Sequence, residues 1–146
     1  MPGFDRFDTR HYPMLDAREG YSAWAATYED TVEDEMDLAL LARVEQVDWR
    51  AARRVADLGC GSGRTGAWVH GQGAASIDGI DLTREMLELA HTRGIYASLA
   101  VGEVAASGLS DATYDVVTCC LVDEHLDRLG SLYTDCLLYT SDAADE

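Results

Sequence analysis

The order of hydrophobic and polar positions changes near residue 54. Before that point, residues 18–47 contain no proline and carry one early glycine. Their apolar side chains recur at the spacing of a helical face, at Met36, Leu40, Leu41, Val44 and Val47. This segment therefore predicts two helices. The first turn of the second helix should carry acidic side chains that stabilise the positive end of the helix dipole, namely Glu33, Asp34, Glu35 and Asp37.

After residue 54, short apolar runs alternate with helical segments. This alternation predicts βαβ units and a parallel sheet, which is the α/β class. The predicted strands span about Arg54–Leu58, Ala75–Asp81, Ser98–Val101 and Tyr114–Cys120. We expect the fourth strand, YDVVTCC, to be buried.

Three helices are predicted among these strands. The first spans about Arg64–His70, and the second runs from a cap at Thr83 to a stop at Gly94. The second helix should face the sheet with Met86, Leu87 and Ala90. The third follows the last strand, and one face of it should consist of Leu126, Leu129, Leu132 and Tyr133.

The last eleven residues, CLLYTSDAADE from Cys136 to Glu146, depart from this pattern. They break the amphipathic register of the third helix and resemble one translated frame of a transposase adapter used in preparing sequencing libraries. We expect them to be foreign to the gene, whose own sequence would continue past Asp135. The chain then divides into an N-terminal helical cap at residues 1–50, a core at 51–135 and a foreign tail at 136–146.

Length and charge restrict the class of protein. A chain of 146 residues suits one domain. No apolar run approaches the roughly 20 residues that cross a bilayer, and the N-terminus lacks the apolar part of a signal peptide. We therefore expect a cytoplasmic protein without a membrane partner. The formal net charge of −16 would repel a phosphate backbone, so nucleic acid is not expected as a partner.

The four cysteines lack the paired spacing of metal ligands and the density of a disulfide scaffold. They are Cys60, Cys119, Cys120 and Cys136. We expect reduced thiols and no metal site.

A glycine-rich stretch, VADLGCGSGRTG at residues 55–66, connects the first predicted strand to the first helix of the core. Such a turn lets backbone N–H groups meet a ligand, and glycine permits both the turn and the close approach. Read from Gly61, the stretch matches the dinucleotide fingerprint G-x-G-x-x-G, but Gly59 is then unexplained. Read from Gly59, the same fingerprint places Arg64 where its third glycine belongs. Read from Asp57, the stretch is D-x-G-x-G-x-G.

The reading from Asp57 explains more of the chain. Asp81 ends the second strand, where an acid can accept hydrogen bonds from both hydroxyls of a ribose. It opens the stretch DLTREML, which fits a D-x-[ST]-x-x-M-L pattern. The stretches VGEVAASGLSDATYDVV and CCLVDEHL follow, and GYSAWAATYED precedes them. In this order, over about Tyr21–Asp135, the motifs resemble those of class I S-adenosylmethionine-dependent methyltransferases of the small-molecule type.

This resemblance implies S-adenosylmethionine as the cofactor and a small molecule as the methyl acceptor. It implies a Rossmann-like, doubly wound sheet with strand order 3-2-1-4, whose strands five to seven are missing from the chain, and an N-terminal helical cap. The cofactor-binding residues would be Tyr21, Tyr28, Asp57, Gly59, Cys60, Gly61, Gly63, Asp81, Leu82, Met86, Glu103, Val104 and Cys119.

Some of these residues have specific roles in the resemblance. Asp57 would meet the cationic amino group of the cofactor, and Tyr21 and Tyr28 would form its lid. Glu103, where the family usually has Asp, would receive the adenine amino group near the backbone of Val104. The family pattern also differs at Asp123, where an apolar residue is usual.

Methyl transfer from a sulfonium requires proximity and alignment, and a base is needed only when the acceptor must lose a proton. Glu124 and His125 follow the fourth strand, at the sheet edge where open α/β folds bind ligands. His125 can titrate near neutral pH, and Glu124 can orient it, so both are candidate catalytic residues. The alternative is that they only begin a helix.

Two other functions remain open from the sequence. The chain could be an oxidoreductase domain that binds a nicotinamide or flavin cofactor. It could also be an inactive fragment, because without a fifth strand the fourth strand is a bare edge that pairs with other chains. We expect such a fragment to be poorly soluble or molten and to turn over no substrate. The oligomeric state does not follow from the sequence.

Overall fold

The computed structural model describes residues 15–32, 36–109, 112–126 and 129–139. The predicted acidic residues Glu33, Asp34 and Glu35 lie outside these ranges, as do residues 140–146 of the predicted foreign tail. Asp37, the remaining acid of that group, lies in the first turn of its helix as expected.

Four parallel strands form one sheet. They are β1 (Val55–Leu58), β2 (Ile77–Asp81), β3 (Ser98–Val101) and β4 (Val116–Cys119). Their order is β3-β2-β1-β4, which confirms the predicted α/β fold and the order 3-2-1-4. Strand β2 begins later than predicted because Ala75 N–H donates to the carbonyl of Ala52, outside the ladder.

Six helices accompany the sheet in the described residues. They are α1 (Ala17–Trp24), α2 (Tyr28–Thr31), α3 (Met36–Leu41), α4 (Arg64–Gln72), α5 (Arg84–Thr92) and α6 (Leu129–Tyr139). Short 3₁₀ turns lie at Ala25–Thr27, Val104–Ala106 and Asp123–His125. None of the described helices is long and apolar enough to cross a lipid bilayer.

The prediction of two helices before the sheet was wrong, since three short helices form there. The backbone leaves the helical region at Thr27, with φ −124° and ψ 6°, and at Val32, with φ −93° and ψ 94°. Helix α3 ends at Leu41, so Val44 and Val47 lie beyond it. The helical spacing of apolar residues therefore extends to Val44 and Val47, beyond the residues that form α3.

Each face of the sheet carries its own apolar core, because successive strand residues point to opposite faces. On one face, Val55 and Ile77 pack with Val69 of α4. On the other face, Leu58 and Ile80 pack with Leu132 of α6. Helices therefore cover both faces, as a doubly wound sheet requires.

Helix α5 agrees with the sequence pattern. Thr83 occupies the N-cap position, although its side chain makes no capping hydrogen bond among the described residues, and Gly94 follows the helix end with a positive φ of 65°. The three predicted inward side chains, Met86, Leu87 and Ala90, are buried.

The region after β3 differs from the prediction. Strand β4 is only partly buried, with Thr118 as its one buried residue, because among the described strands it pairs with β1 alone. Leu126 precedes α6, and Tyr133 is exposed, so of the predicted inward face Leu132 is the buried member. Helix α6 continues through Tyr139, and Cys136 packs against one core. The foreign origin of the tail stays a prediction.

Candidate functional site

A cavity of about 630 Å³ opens at the carboxyl edge of the sheet, beneath the N-terminal helices. Most of the predicted site residues line it. They are Tyr21, Tyr28, Gly59, Cys60, Gly61, Asp81, Leu82, Met86, Glu103, Val104, Glu124 and His125. The lining does not include Asp57, Gly63 or Cys119.

The glycine loop between β1 and α4 forms one wall of the cavity. Gly59, Gly61 and Gly63 have φ values of 66°, 52° and 84°, in the left-handed region that favours glycine. A Cβ atom at Gly59 would lie 2.3 Å from the side chain of Val122. A side chain at Gly59 would therefore clash with Val122, and the loop could not keep its present path.

Asp81, at the end of β2, is fixed by backbone donors. Its Oδ2 accepts from Gly61 N–H and its Oδ1 from Thr83 N–H, each at 2.8 Å. An ionised carboxylate offers about four lone-pair sites. Two of them remain for donors in the cavity, so Asp81 is already oriented to receive a pair of hydroxyl groups.

Ser62 is a site residue that the sequence analysis missed. Its Oγ is buried and has no hydrogen-bond partner among the described residues, although Ser62 lines the cavity. A buried hydroxyl without a partner costs free energy, which a polar ligand group in the cavity would recover. Ser62 occupies a variable position of the glycine motif, so the motif gave no signal for it.

Helices α1 to α3 cover the cavity and are tied to the core by polar contacts. Ser22 Oγ donates to Glu85 at 2.8 Å. The guanidinium of Arg93 donates to both carboxylate oxygens of Glu29 at 3.0 Å, and its Nε also donates to the carbonyl of Ser62 at 2.6 Å. Arg93 thus connects the covering helices to the glycine loop.

An aromatic cluster forms the inner surface of this cover. The ring of Trp24 lies 6.0 Å from that of Tyr21 and 4.8 Å from that of Tyr28, measured between centroids. Trp24 also lines the cavity, and it was not among the predicted site residues. The predicted lid tyrosines therefore act as part of a group of three rings.

Glu124 and His125 lie in the 3₁₀ turn after β4 and line the cavity. His125 Nε2 lies 3.1 Å from the hydroxyl of Tyr21 and 3.9 Å from Glu124 Oε1. The turn is separate from α6, which begins at Leu129, so the two residues do not begin that helix. Burial, with the nearby Tyr28, Glu124 and Asp81, raises the pKa of Tyr21, so its hydroxyl remains protonated at neutral pH.

Asp57 lies beneath the glycine loop and outside the cavity lining, so its predicted contact with a ligand amino group stays a prediction. Its side chain is 2% exposed, and its carboxylate accepts from Tyr96 OH at 2.7 Å and from Thr118 Oγ1 at 2.8 Å. Burial raises the pKa of this carboxyl, and the hydrogen bonds oppose the rise. No sequence pattern indicated Tyr96, which lies 39 residues from Asp57.

Gly63 and Cys119 are likewise displaced from the predicted lining. A Cβ at Gly63 would lie 3.0 Å from the Tyr96 ring and 3.1 Å from the Arg93 side chain, on the side away from the cavity. Cys119 packs against the apolar core, where burial raises its pKa to about 12. The next residue, Cys120, lines the cavity instead, because consecutive residues of an extended chain face opposite sides.

Comparison with known proteins agrees with this geometry. A family model described as a methyltransferase domain matches residues 55–136. The chain therefore belongs to the methyltransferase domain family, as a class I S-adenosylmethionine-dependent member with S-adenosylmethionine as its cofactor. Nothing in the comparisons supports the oxidoreductase alternative.

Curated relatives carry a more specific name. The ubiquinone biosynthesis O-methyltransferase of Ralstonia nicotianae is 36% identical over 91 residues, which cover 59% of this chain and 38% of that protein. The enzyme of the same name from Burkholderia multivorans is 31% identical over 101 residues, 66% of this chain and 43% of that protein. The chain thus spans about two fifths of the length of these relatives.

Solved structures share the fold. The S-adenosylmethionine-dependent methyltransferase of Mesorhizobium loti has a TM-score of 0.63 and 24% identity, and covers 71% of this chain and 47% of its own. A methyltransferase of the same class from Archaeoglobus fulgidus has a TM-score of 0.64 and 24% identity, and the match covers 81% of this chain and 54% of that chain. DhpI, in its S-adenosylhomocysteine complex, has a TM-score of 0.52 and 25% identity, with 68% and 48% covered.

Proposed function

We propose that the protein transfers a methyl group from S-adenosylmethionine to a hydroxyl group of a small, largely apolar molecule. The observation that carries this proposal is that one cavity is lined both by the glycine loop with Asp81 and by the Tyr21–His125 pair. The first group suits a nucleoside cofactor, and the second suits proton transfer at an acceptor. The names of the curated relatives, which are O-methyltransferases, support the same chemistry.

The residues of the cavity fit the cofactor. Asp81 would accept from the ribose hydroxyls with its two remaining lone-pair sites, and the orphaned Ser62 Oγ would pair with a polar group near the loop. Met86 supplies an apolar surface close to Gly61, 3.6 Å from where a Cβ would lie. When bound, S-adenosylmethionine supplies a methyl group on a positively charged sulfur. The chain binds and aligns, which is the main requirement of such a displacement.

His125 is the proposed base for an acceptor that must lose its proton. In its neutral form, a ring nitrogen can take the proton of a hydroxyl, and the carboxylate of Glu124 lies 3.9 Å from Nε2 of the same ring. The hydroxyl of Tyr21, at 3.1 Å, holds the ring at the cavity wall. Glu124 and Tyr21 therefore serve to orient and stabilise His125.

Much of the remaining lining is apolar and supports an organic acceptor, although Asp37 and Arg64 also line the cavity. Trp24, Met36, Leu40 and Leu121 all line the cavity and are exposed to solvent. Exposed apolar side chains grouped around a cavity commonly mark the place where a ligand binds. An acceptor with an apolar body and one hydroxyl directed at His125 would cover them.

Titration calorimetry and turnover measurements test the two halves of this proposal separately. The protein should bind S-adenosylhomocysteine. Asp81→Asn should weaken that binding about tenfold, because the new amide N–H₂ is itself a donor and cannot accept from the ribose hydroxyls. His125→Gln should bind the same ligand normally. It should lower kcat with an alkylated phenol as acceptor about 100-fold, since general-base catalysis is lost.

Two exposed positions provide controls. Asp30→Asn on α2 and His91→Gln on α5 make the same chemical changes outside the cavity and should leave both measurements unchanged. Absence of binding by the unaltered protein at millimolar S-adenosylhomocysteine would contradict the proposal as a whole. Normal turnover by His125→Gln would remove only the role of His125.

A further inference from the structure

Tyr96, in the segment between α5 and β3, occupies space left by three glycines. A Cβ atom at Gly66 would lie 2.1 Å from the Tyr96 hydroxyl, and one at Gly79 would lie 2.9 Å from the ring. One at Gly63 would lie 3.0 Å from the ring. A Cβ at each of these positions would crowd this tyrosine, although none of the three lines the cavity. The last glycine of the D-x-G-x-G-x-G motif therefore accommodates a side chain of the protein itself.

The hydroxyl of Tyr96 is bonded to the acid of the same motif. It donates to Asp57 Oδ2 at 2.7 Å, while Thr118 donates to Oδ1 at 2.8 Å. A buried carboxylate needs such donors, because an unpaired charge in the interior is strongly destabilising. Tyr96 is thus one of the groups that keep Asp57 in place beneath the loop.

Tyr96 contacts both ends of the glycine loop at once. Asp57 lies in β1, just before the loop, whereas Gly63 and Gly66 lie where α4 begins. Between these ends, Gly59, Gly61 and Ser62 face the cavity. A shift of the tyrosine would therefore move the ends of the loop relative to each other and change the path of the residues between them.

We propose that Tyr96 is a positioning residue for cofactor binding, which sets the path of the glycine loop from behind without touching the cavity. This inference rests on the proposed use of S-adenosylmethionine. In the family resemblance, Asp57, which precedes the loop and bonds to Tyr96, would meet the amino group of the cofactor, while Asp81 and Glu103 would receive the adenosine end. The effect of Tyr96 should therefore be larger on the amino-acid end than on the adenosine end.

Two ligands separate these ends. S-adenosylhomocysteine has both, whereas 5′-methylthioadenosine has the adenosine but lacks the amino-acid group. Tyr96→Phe retains the ring and removes the hydroxyl, so we expect its Kd for S-adenosylhomocysteine to rise about tenfold, equal to about 1.4 kcal/mol. The Kd for 5′-methylthioadenosine should stay within twofold of the unaltered protein. Tyr96→Leu, which also removes the ring, should show a larger selective loss.

The control variant is Tyr133→Phe, which makes the same change at an exposed position of α6 and should alter neither Kd. Melting curves on every variant confirm that folded protein is compared, and Tyr96→Phe alone decides the matter if Tyr96→Leu does not fold. An unchanged Kd for S-adenosylhomocysteine in Tyr96→Phe would overturn the inference, as would an equal loss for both ligands. If the unaltered protein binds neither ligand, the proposed function fails instead.

Discussion

Asp57 on β1 and Asp78 on β2 are two acids in similar positions with different partners. Asp57 is opposite Gly79 in the ladder, and Asp78 is opposite Ala56, so they lie on neighbouring strands and on opposite faces of the sheet. Their exposures are 2% and 7%. Each carboxylate accepts a hydrogen bond from a tyrosine and another from a hydroxyl on an adjacent strand.

One difference is a cation. The donors to Asp57 are the hydroxyls of Tyr96 and Thr118 and the backbone N–H of Gly66, which are all neutral, and burial raises its pKa. Asp78 also forms a salt bridge with Arg54 at 2.9 Å. Burial opposes ionisation there as well, but the hydrogen bonds and the guanidinium outweigh it and lower the pKa of Asp78. Hydroxyl donors make a buried acid tolerable, and an adjacent cation makes its charged form favourable.

The largest expected effect comes from removing each acid. Asp57→Ala leaves two hydroxyls and a backbone N–H without an acceptor, and should lower the free energy of unfolding by about 3 kcal/mol. Asp78→Ala should cost less, about 2 kcal/mol, because the released Arg54 can be solvated again while the hydroxyl donors remain unpaired. Urea unfolding monitored by circular dichroism measures both. An equal or larger loss for Asp78→Ala would contradict the ranking.

These two acids also show how far the sequence could predict the site. The strands, the glycine loop and most of the cavity lining follow from local patterns, since each depends on residues close together in the chain. The partners of Asp57 do not, because Tyr96 and Thr118 lie 39 and 61 residues away and no spacing connects them. The same holds for the Tyr21–His125 contact, which joins residues 104 positions apart.

The errors in the fold have a similar origin. Whether apolar spacing continues as helix depends on individual residues, such as Thr27 and Val32, whose backbones leave the helical region. The exposure of β4 depends on which strands flank it, and the periodicity of its own residues contains no information on that. Asp57 is predicted to meet a ligand because it precedes the loop in sequence. The alternation of faces along β1 places its carboxylate beneath the loop, against Tyr96.

The second prediction concerns pH. The folded pKa of Asp57 lies above the ordinary value of 3.8, so its contribution to stability is fully present below about pH 4 and is lost as the pH rises through the folded pKa. The folded pKa of Asp78 lies below 3.8, so its contribution is present above about pH 4 and is lost as the pH falls through the folded pKa.

The neutral variants make these slopes measurable. From pH 3 to pH 8, the free energy of unfolding of the unaltered protein minus that of Asp57→Asn should decrease with rising pH. The corresponding difference for Asp78→Asn should increase with rising pH. Urea titrations at each pH provide both curves, in the same buffers and at the same ionic strength. If both differences changed in the same direction with pH, the cation would not be the cause of the opposite pKa shifts of the two acids.

The smallest effect is expected from Arg54→Met, which removes the cation and leaves every hydroxyl donor to Asp78 in place. The Arg54 side chain is 48% exposed, so water screens its salt bridge, and the loss of stability should be smaller than for either alanine variant. Its guanidinium also lies 5.0 Å from the centre of the Tyr114 ring, a contact that the methionine side chain partly replaces.

The informative measurement for Arg54→Met is therefore the pH profile rather than the loss itself. Without the guanidinium, burial should dominate at Asp78. In the Arg54→Met background, the free energy of unfolding with Asp78 minus that with Asp78→Asn should therefore decrease with rising pH, as the corresponding difference does for Asp57. Arg43→Met, at an exposed position after α3, is the matched control and should leave the slope as it is. If the slope persists in Arg54→Met, the serine and tyrosine hydroxyls suffice to lower the pKa of Asp78. The geometry of neutral donors, and not charge, would then distinguish the two acids.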